Sequence, residues 1–169
     1  MAILEIITVG HPTLSRKADA VDRIDGGLVE LADSMVETMH RAPGIGLAAP
    51  QVNESRRLIT VDLSVGDNAE ELIVLFNPEI VKQEGHAVSE EGCLSVPNIR
   101  EKVARPFRVT VRGISLEGDE VEVEAEDLLA RVLCHEIDHL EGRLFIDRLS
   151  SLKRALVRKK LRKAAEAGS

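Results

Sequence analysis

The stretch "CHEIDHLEG" (134–142) sets the imidazoles of His135 and His139 four positions apart and puts the carboxylate of Glu136 directly after the first. On a helix, positions i and i+4 share one face a turn apart, so both rings can reach a single ion. Glu136 is rotated by about 100° from His135, which leaves it free to move a proton at that ion without being a ligand. A polar helix with two solvated histidines is the competing reading. Ile137 and Leu140 argue against it, because they predict that much of the helix circumference is buried.

A tetrahedral catalytic ion takes three protein ligands and leaves one position open. One protease class places a further histidine at position 145, where this chain has Phe145. Another uses a downstream helical glutamate, and the only one after Glu141 is Glu166, inside a basic segment. That leaves upstream residues. Cys93 lies in "EEGCLSVP" (90–97), where Gly92 and Pro97 predict an irregular backbone, and its thiolate can complete a Cys-His-His set. A small buried apolar cysteine is the alternative. The rival ligand Cys134 adjoins His135 but points about 100° away from the histidine face, and is read as structural. A third stretch, "GIGLAAPQ" (44–51), offers Gly44 and Gly46 for close backbone approach. It ends on Gln51, whose neutral amide can donate to a developing oxyanion.

These groups need elements to hold them. Leu28, Leu31, Ala32, Met35, Val36 and Met39 recur at helical spacing, and Pro43-Gly44 stops the pattern. "RLITVDL" (57–63) and "ELIVLFN" (71–77) read as strands of a hairpin joined by "GDNAE". "FRVTVRGI" (107–114) and "DEVEVEA" (119–125) alternate with period two about Gly118-Asp119, which predicts two antiparallel strands with the glutamates facing solvent. From Glu126 the period becomes helical through Leu128, Leu129, Val132, Leu133, Ile137 and Leu140, and Gly142 is a natural stop. Strands scattered before a late helix indicate an α+β fold built on antiparallel sheets.

A chain of 169 residues, 44% hydrophobic and 30% charged, suits one globular domain, with residues 1–149 as the catalytic body and 150–169 as a helical tail of the same domain. With no Trp, no Tyr and three Phe the core is aliphatic, and base stacking on aromatic platforms is disfavoured. No apolar run approaches the ~20 residues that cross a bilayer. The start "MAILEIITVGHP" lacks the marks of a signal peptide, so the expected location is the cytoplasm, with Cys93 and Cys134 reduced. Beyond Leu149, seven basic residues stand against one acid. That net of +6 leaves −13 for the rest of a chain whose total is −7. With Leu152, Ala155, Leu156, Val157 and Leu161 this segment reads as a basic amphipathic helix, able to meet RNA phosphates, an acidic membrane or solvent.

Taken together, "GIGLAAPQ", "EGCLS" (91–95) and "HEIDHLEG" (135–142) resemble the three motifs of the peptide deformylase family, in the family's order and with similar separations. The resemblance implies hydrolytic removal of the formyl group from N-formylmethionine at the start of nascent polypeptides, releasing formate, by an α+β fold in which antiparallel sheets surround the His-Glu-x-x-His helix. It implies Cys93, His135 and His139 as metal ligands, Glu136 as general acid and base, and Gln51 with the Leu94 N–H as oxyanion donors. Ile45 and Gly46 are then the edge on which substrate docks, and Arg100 contacts substrate further along. The family's usual ion is Fe²⁺, with Zn²⁺, Ni²⁺ or Co²⁺ able to take its place, although ligand chemistry alone favours zinc. Arg105 is expected to pair with Glu91 and Asp138, bracing the ligand loop against the helix. Cys134 departs from the glutamine that many members carry there. For such an enzyme the tail's expected partner is the ribosome, with no membrane, no sequence-specific nucleic acid and a monomeric chain. The rivals are a metalloprotease with a cysteine ligand, and a closed metal-binding domain with a fourth ligand from His11, His40 or His86.

Overall fold

The apolar periodicities resolve into two layers of helix about a sheet in the computed structural model, which describes residues 2–167. In chain order the elements are α1 (Gly26–Arg41), β1 (Gly46–Ala48), β2 (Leu58–Val61), β3 (Ile73–Glu84), β4 (Ala87–Cys93), β5 (Val96–Arg105), β6 (Arg108–Ile114), β7 (Glu120–Glu126), α2 (Asp127–Leu140) and α3 (Ser151–Ala167), with 3-10 turns between some of them. Strands β1-β2-β3-β6-β7 form one antiparallel sheet in that order, while β4 and β5 pair separately with each other.

Strand β2 is buried at every position because both faces of the sheet are covered. Ile59 and Val61 pack with Leu133, Ile137 and Leu140 of α2, whereas Leu58 packs with Ala32, Met35 and Met39 of α1. Helix α1 begins where the Asp25 side chain accepts from Leu28 N–H, satisfying one of the donors a helix start leaves open. Helix α2 ends as its spacing predicts, with Gly142 in the left-handed region at φ 75° and its N–H donating to His139 C=O. A Cβ on Gly142 would lie 2.8 Å from the Ser15 backbone, so the turn also needs the space.

Two stretches differ from the sequence reading. The strand expected to end at Asn77 continues to Glu84, because Asn77 (φ 50°) and Pro78 form an irregularity at which the register to β6 shifts and pairing then resumes. The region around Cys93, expected to be irregular, belongs to a hairpin in which β4 and β5 are joined by a turn at Leu94-Ser95; the expected irregularity is present as a register shift between Gly92 and Cys93 and a left-handed Asn98 (φ 64°). Val96, Ile99 and Val103 of that hairpin pack on Leu144, Phe145, Ile146 and Leu149 and on Val157 of α3. The basic helix is thus seated on the body through one buried residue, while Leu152 and Leu156 remain exposed.

The Asn77 side chain holds the N-terminal segment to the sheet by accepting from Val21 N–H and donating to Val21 C=O, each at 2.8 Å. Asn77→Ala leaves both backbone groups without that partner and strains a left-handed position, so it is expected to lower unfolding free energy by about 1–3 kcal/mol in urea titration, with the m-value unchanged.

Candidate active site

The face of α2 that carries His135 and His139 turns toward the β4–β5 hairpin. Their rings lie edge to face with centroids 5.0 Å apart, and Cys93 Sγ, at the end of β4, is 3.4 Å from His139 Nε2. One donor atom from each of the three residues falls within 4.8 Å of the others. A thiolate with two imidazoles at this spacing suits one divalent transition ion, which bonds such atoms at about 2.0–2.3 Å. Among the described residues no fourth His, Cys, Asp or Glu joins the group. His40 is paired to Asp62 at 2.7 Å, His11 accepts from Thr13 N–H, and His86 is exposed. The set therefore leaves a position open, as a catalytic site does. Cys134 lies buried in the apolar cluster between α2 and the sheet, and both cysteines are free thiols.

The hairpin that carries Cys93 and the helix that carries the histidines are held together by buried charge. Arg105 donates to both oxygens of Glu91 (2.8 and 2.9 Å) and to Asp138 at 2.6 Å, joining β5, β4 and α2 as expected. Burial disfavours the Glu91 charge, but hydrogen bonds from Arg105 and His135 outweigh it and hold the carboxyl well below the usual carboxylate range. An ionised Glu91 only accepts, so His135 Nδ1, 2.9 Å away, carries the proton and its other nitrogen is the one free for an ion. The two imidazoles are pushed apart in acidity. Burial opposes a charge on His135, but hydrogen bonds to Cys93 and Glu91 raise its pKa well above the ordinary value. Burial, then the neighbouring His135, press His139 well below it. Phe145, which occupies the position where one protease class has its third histidine, stacks on the His135 ring at 6.0 Å.

Glu136 is 4% exposed, and its Oε1 has no hydrogen-bond partner among the described residues. Burial is the main reason its pKa is pushed up to about 7, where a carboxyl can both take and return a proton. Its other oxygen lies so close to Gly46 that a Cβ there would overlap it and would approach Val132 Cγ1 to 2.8 Å. The glycine is what lets β1 approach α2. Gln51, buried on the 3-10 turn after β1, has its amide oriented. Oε1 accepts from Ala48 N–H, and Nε2 donates to Ser95 Oγ at 3.1 Å and toward Cys93 Sγ at 3.6 Å. Leu94 occupies the hairpin turn beside Cys93.

These groups border a cleft of about 460 Å³, also lined by Ile45, Gly46, Leu94, Leu128 and Val132, with Arg100 at its mouth ion-paired to Glu90 at 2.6 Å. All nine residues singled out in the sequence therefore fall in or on one cleft or, for His139, directly against its cysteine. Sequence reading missed Arg131 and Arg148. Arg148 donates to both oxygens of Asp138 (2.6 and 2.7 Å), and Arg131 donates to Glu91 at 2.7 Å. For Arg131 the signal was available, since it stands four residues before His135 on the same helical face.

The family model described as Polypeptide deformylase matches residues 3–155. The chain is 52% identical to a peptide deformylase of Thermodesulfovibrio yellowstonii over 96% of this chain and 98% of that one, and 50% identical to one of Acidobacterium capsulatum over 99% of each. The fold superposes on a crystal structure of a peptide deformylase from Legionella pneumophila with a TM-score of 0.91 at 42% identity, covering 99% of this chain and 98% of that one. It is similarly close to the Ehrlichia chaffeensis enzyme in complex with actinonin, with a TM-score of 0.88 at 36% identity over 97% of this chain and 98% of that one.

Because Glu91 and Asp138 have folded-state pKa values below their ordinary 4.5 and 3.8, their ion pairs contribute in full above those values and are lost as the pH falls through the folded ones. Thermal unfolding followed from pH 7 to pH 2 is expected to show a stability that holds down to about pH 4.5 and then declines. Glu91→Gln is expected to lower the plateau and flatten that decline.

Proposed function

The chain belongs to the polypeptide deformylase family, and on that premise we propose that Cys93, His135 and His139 hold its metal ion and that Glu136 moves the protons. It is a metal-dependent hydrolase that removes the formyl group from N-terminal N-formylmethionine of nascent polypeptides, releasing formate. The observation that carries the residue assignment is the convergence of one sulfur and two ring nitrogens beside a buried, partner-free carboxyl oxygen in an open cleft. Fe²⁺ is the proposed ion, with Zn²⁺, Ni²⁺ and Co²⁺ able to occupy the same ligands.

When bound, such an ion supplies Lewis acidity, acidifying water and polarising the formyl carbonyl. The chain's own residues do the rest. The formylated peptide docks along Ile45 and Gly46, with Arg100 meeting it further along, so that the formyl carbon faces Glu136. Glu136 accepts a proton from the attacking water as the new C–O bond forms. Gln51 Nε2 and the Leu94 N–H donate to the oxygen that becomes an oxyanion, the Gln51 amide being held in place by Ala48 N–H and Ser95 Oγ and giving up its longer contact toward Cys93 Sγ. Glu136 returns the proton to the peptide nitrogen as the C–N bond breaks, and formate and a free amine leave. Gly46 and Leu94 leave little space around an acyl carbon, so the formyl hydrogen is admitted and larger acyl groups are not. A protease reading has less support, because the chain's relatives are peptide deformylases across nearly its whole length.

Anaerobically purified protein is expected to release formate from formyl-Met-Ala-Ser and to leave unformylated peptides intact. Glu136→Ala is expected to keep one ion per chain while kcat falls by about 10²–10⁴. Cys93→Ala is expected to lose the ion itself. Full turnover by the first variant, or a tightly held ion in the second, would remove that residue from its role.

Helix α3 is proposed to meet ribosomal RNA in the cytoplasm, through phosphate contacts and without reading sequence, the chain itself being monomeric. Lys159, Lys160 and Lys163 are exposed, whereas Lys153 and Arg158 are paired to Glu101 and Asp147 of the body. Reversing those three lysines to Glu is expected to leave kcat/KM on short peptides unchanged and to weaken co-sedimentation with ribosomes at low salt. Unchanged co-sedimentation defeats the ribosome reading.

A further inference from the structure

We infer that Arg131 is a positioning residue for this reaction, the side chain that fixes the Cys93-bearing hairpin against the histidine helix. The inference rests on the metal-ligand reading above and goes beyond it. Among the described residues, no strand pairing joins β4 and β5 to the five-stranded sheet, and a two-stranded ribbon is marginal by itself. Cys93, at its end, must nonetheless meet two rings carried by α2. The turn end of the hairpin is tied by Val9 N–H donating to Ser95 C=O, and its middle by the contact of Glu91 with His135. The open end is gripped by Arg131 from α2, and by Arg105, which pairs with Ala87 there and donates to Asp138 of α2 at 2.6 Å.

That side chain is one turn before His135 and 7% exposed. Its Nη1 donates to Glu91 Oε2 at 2.7 Å and Val103 C=O at 2.8 Å, with Ser89 C=O at 3.5 Å, and its Nη2 donates to Ala87 C=O at 3.0 Å. Ala87 and Ser89 belong to β4, Val103 to β5, and Ser89 is paired with Val103 across the ribbon. One planar guanidinium therefore holds both strands and the carboxylate that orients His135. A lysine ammonium has three donors and no fixed fork, so it cannot make all of these contacts at once. Rotating the ribbon about its turn end would carry Cys93 away from the rings without unfolding the sheet–helix body. Arg131 opposes this rotation by holding the backbone of both strands, beside the contact of Arg105 with Asp138.

The test uses full-length protein loaded with Co²⁺, comparing wild type with Arg131→Met and Arg131→Lys. Three properties are read: the thiolate-to-cobalt absorption, the rate at which a chelator removes the ion, and amide exchange over residues 87–105 against residues 58–84. In Arg131→Met the absorption is expected to weaken, cobalt to leave about 10–100 times faster, and exchange to quicken in the hairpin alone, with Arg131→Lys between it and wild type. Arg131→Met with the wild-type spectrum and release rate overturns the inference. So does exchange that quickens equally in both segments, which is the mark of a general loss of stability. If Arg131→Met does not fold, Arg131→Lys is judged by the same three readings. A wild-type protein without the thiolate-to-cobalt band defeats the Cys93 assignment itself, and the inference with it.

Discussion

The chemistry depends on a buried carboxylate, Glu91, that cannot exist as an ion without its partners. Desolvating an unpaired carboxylate costs several kcal/mol, so Glu91 stays charged only while Arg105 and Arg131 remain on it. Those two residues come from different elements, β5 and α2, so the ion pairs also fix the geometry of three segments. Arg105 extends the link to Asp138 on α2, where Arg148 completes a bidentate pair from the following turn. A network of this kind contributes little net stability compared with an apolar core of the same volume, but it allows few alternative arrangements. What it secures here is orientation. Glu91 sets the tautomer of one histidine, and two residues further along the same strand stands the cysteine.

A second glutamate of the cleft is held by a different constraint. Glu136 faces the β1 side of α2, packed against a strand that approaches closely because Gly46 has no side chain. Here no guanidinium hydrogen-bonds the carboxyl, and burial, the largest influence on it, raises its pKa to about 7. Two glutamates within one turn's reach of His135 are thus driven in opposite directions. Glu91 is ionised by arginines and orients His135, whereas Glu136 is poised by desolvation near neutrality, as the proton-moving role proposed for it requires. The same residue type takes two roles because one side of the helix meets the charged hairpin and the other meets the sheet.

The parts legible in the sequence were those where periodicity and polarity agree. Helix α1, the alternating β6 and β7, and the His135–His139 spacing all follow from the rule that apolar residues face inward. The hairpin was not legible, because it breaks that rule. Glu91 and Arg105 point inward while Val88 is 59% exposed, so its hydrophobic alternation is scrambled and Gly92 and Pro97 read as loop. The motif resemblance placed Cys93 at the site where strand propensity did not. Arg131 and Arg148 belong to no motif. Helical spacing puts Arg131 on the face of His135, but its partners on the ribbon, like those of Arg148 on Asp138, emerge only once a helix, a ribbon and a turn distant in sequence are brought together.

The basic helix is coupled to this arrangement more closely than its composition suggests. Val157 inserts into the same apolar cluster as Val96, Ile99, Val103 and Phe145. Phe145 stacks on His135, and Val96 adjoins the turn that follows Cys93, so removing α3 would open a cavity one layer behind His135 and Cys93. Its inner face, with Val157 and Leu161, therefore supports the site, and only its outer lysines are free to serve a partner. A truncation removes packing and charge together, because the packing residues lie within the basic segment and not before it. Charge on the outer face can be varied alone, since long solvated side chains add nothing to the cluster behind them.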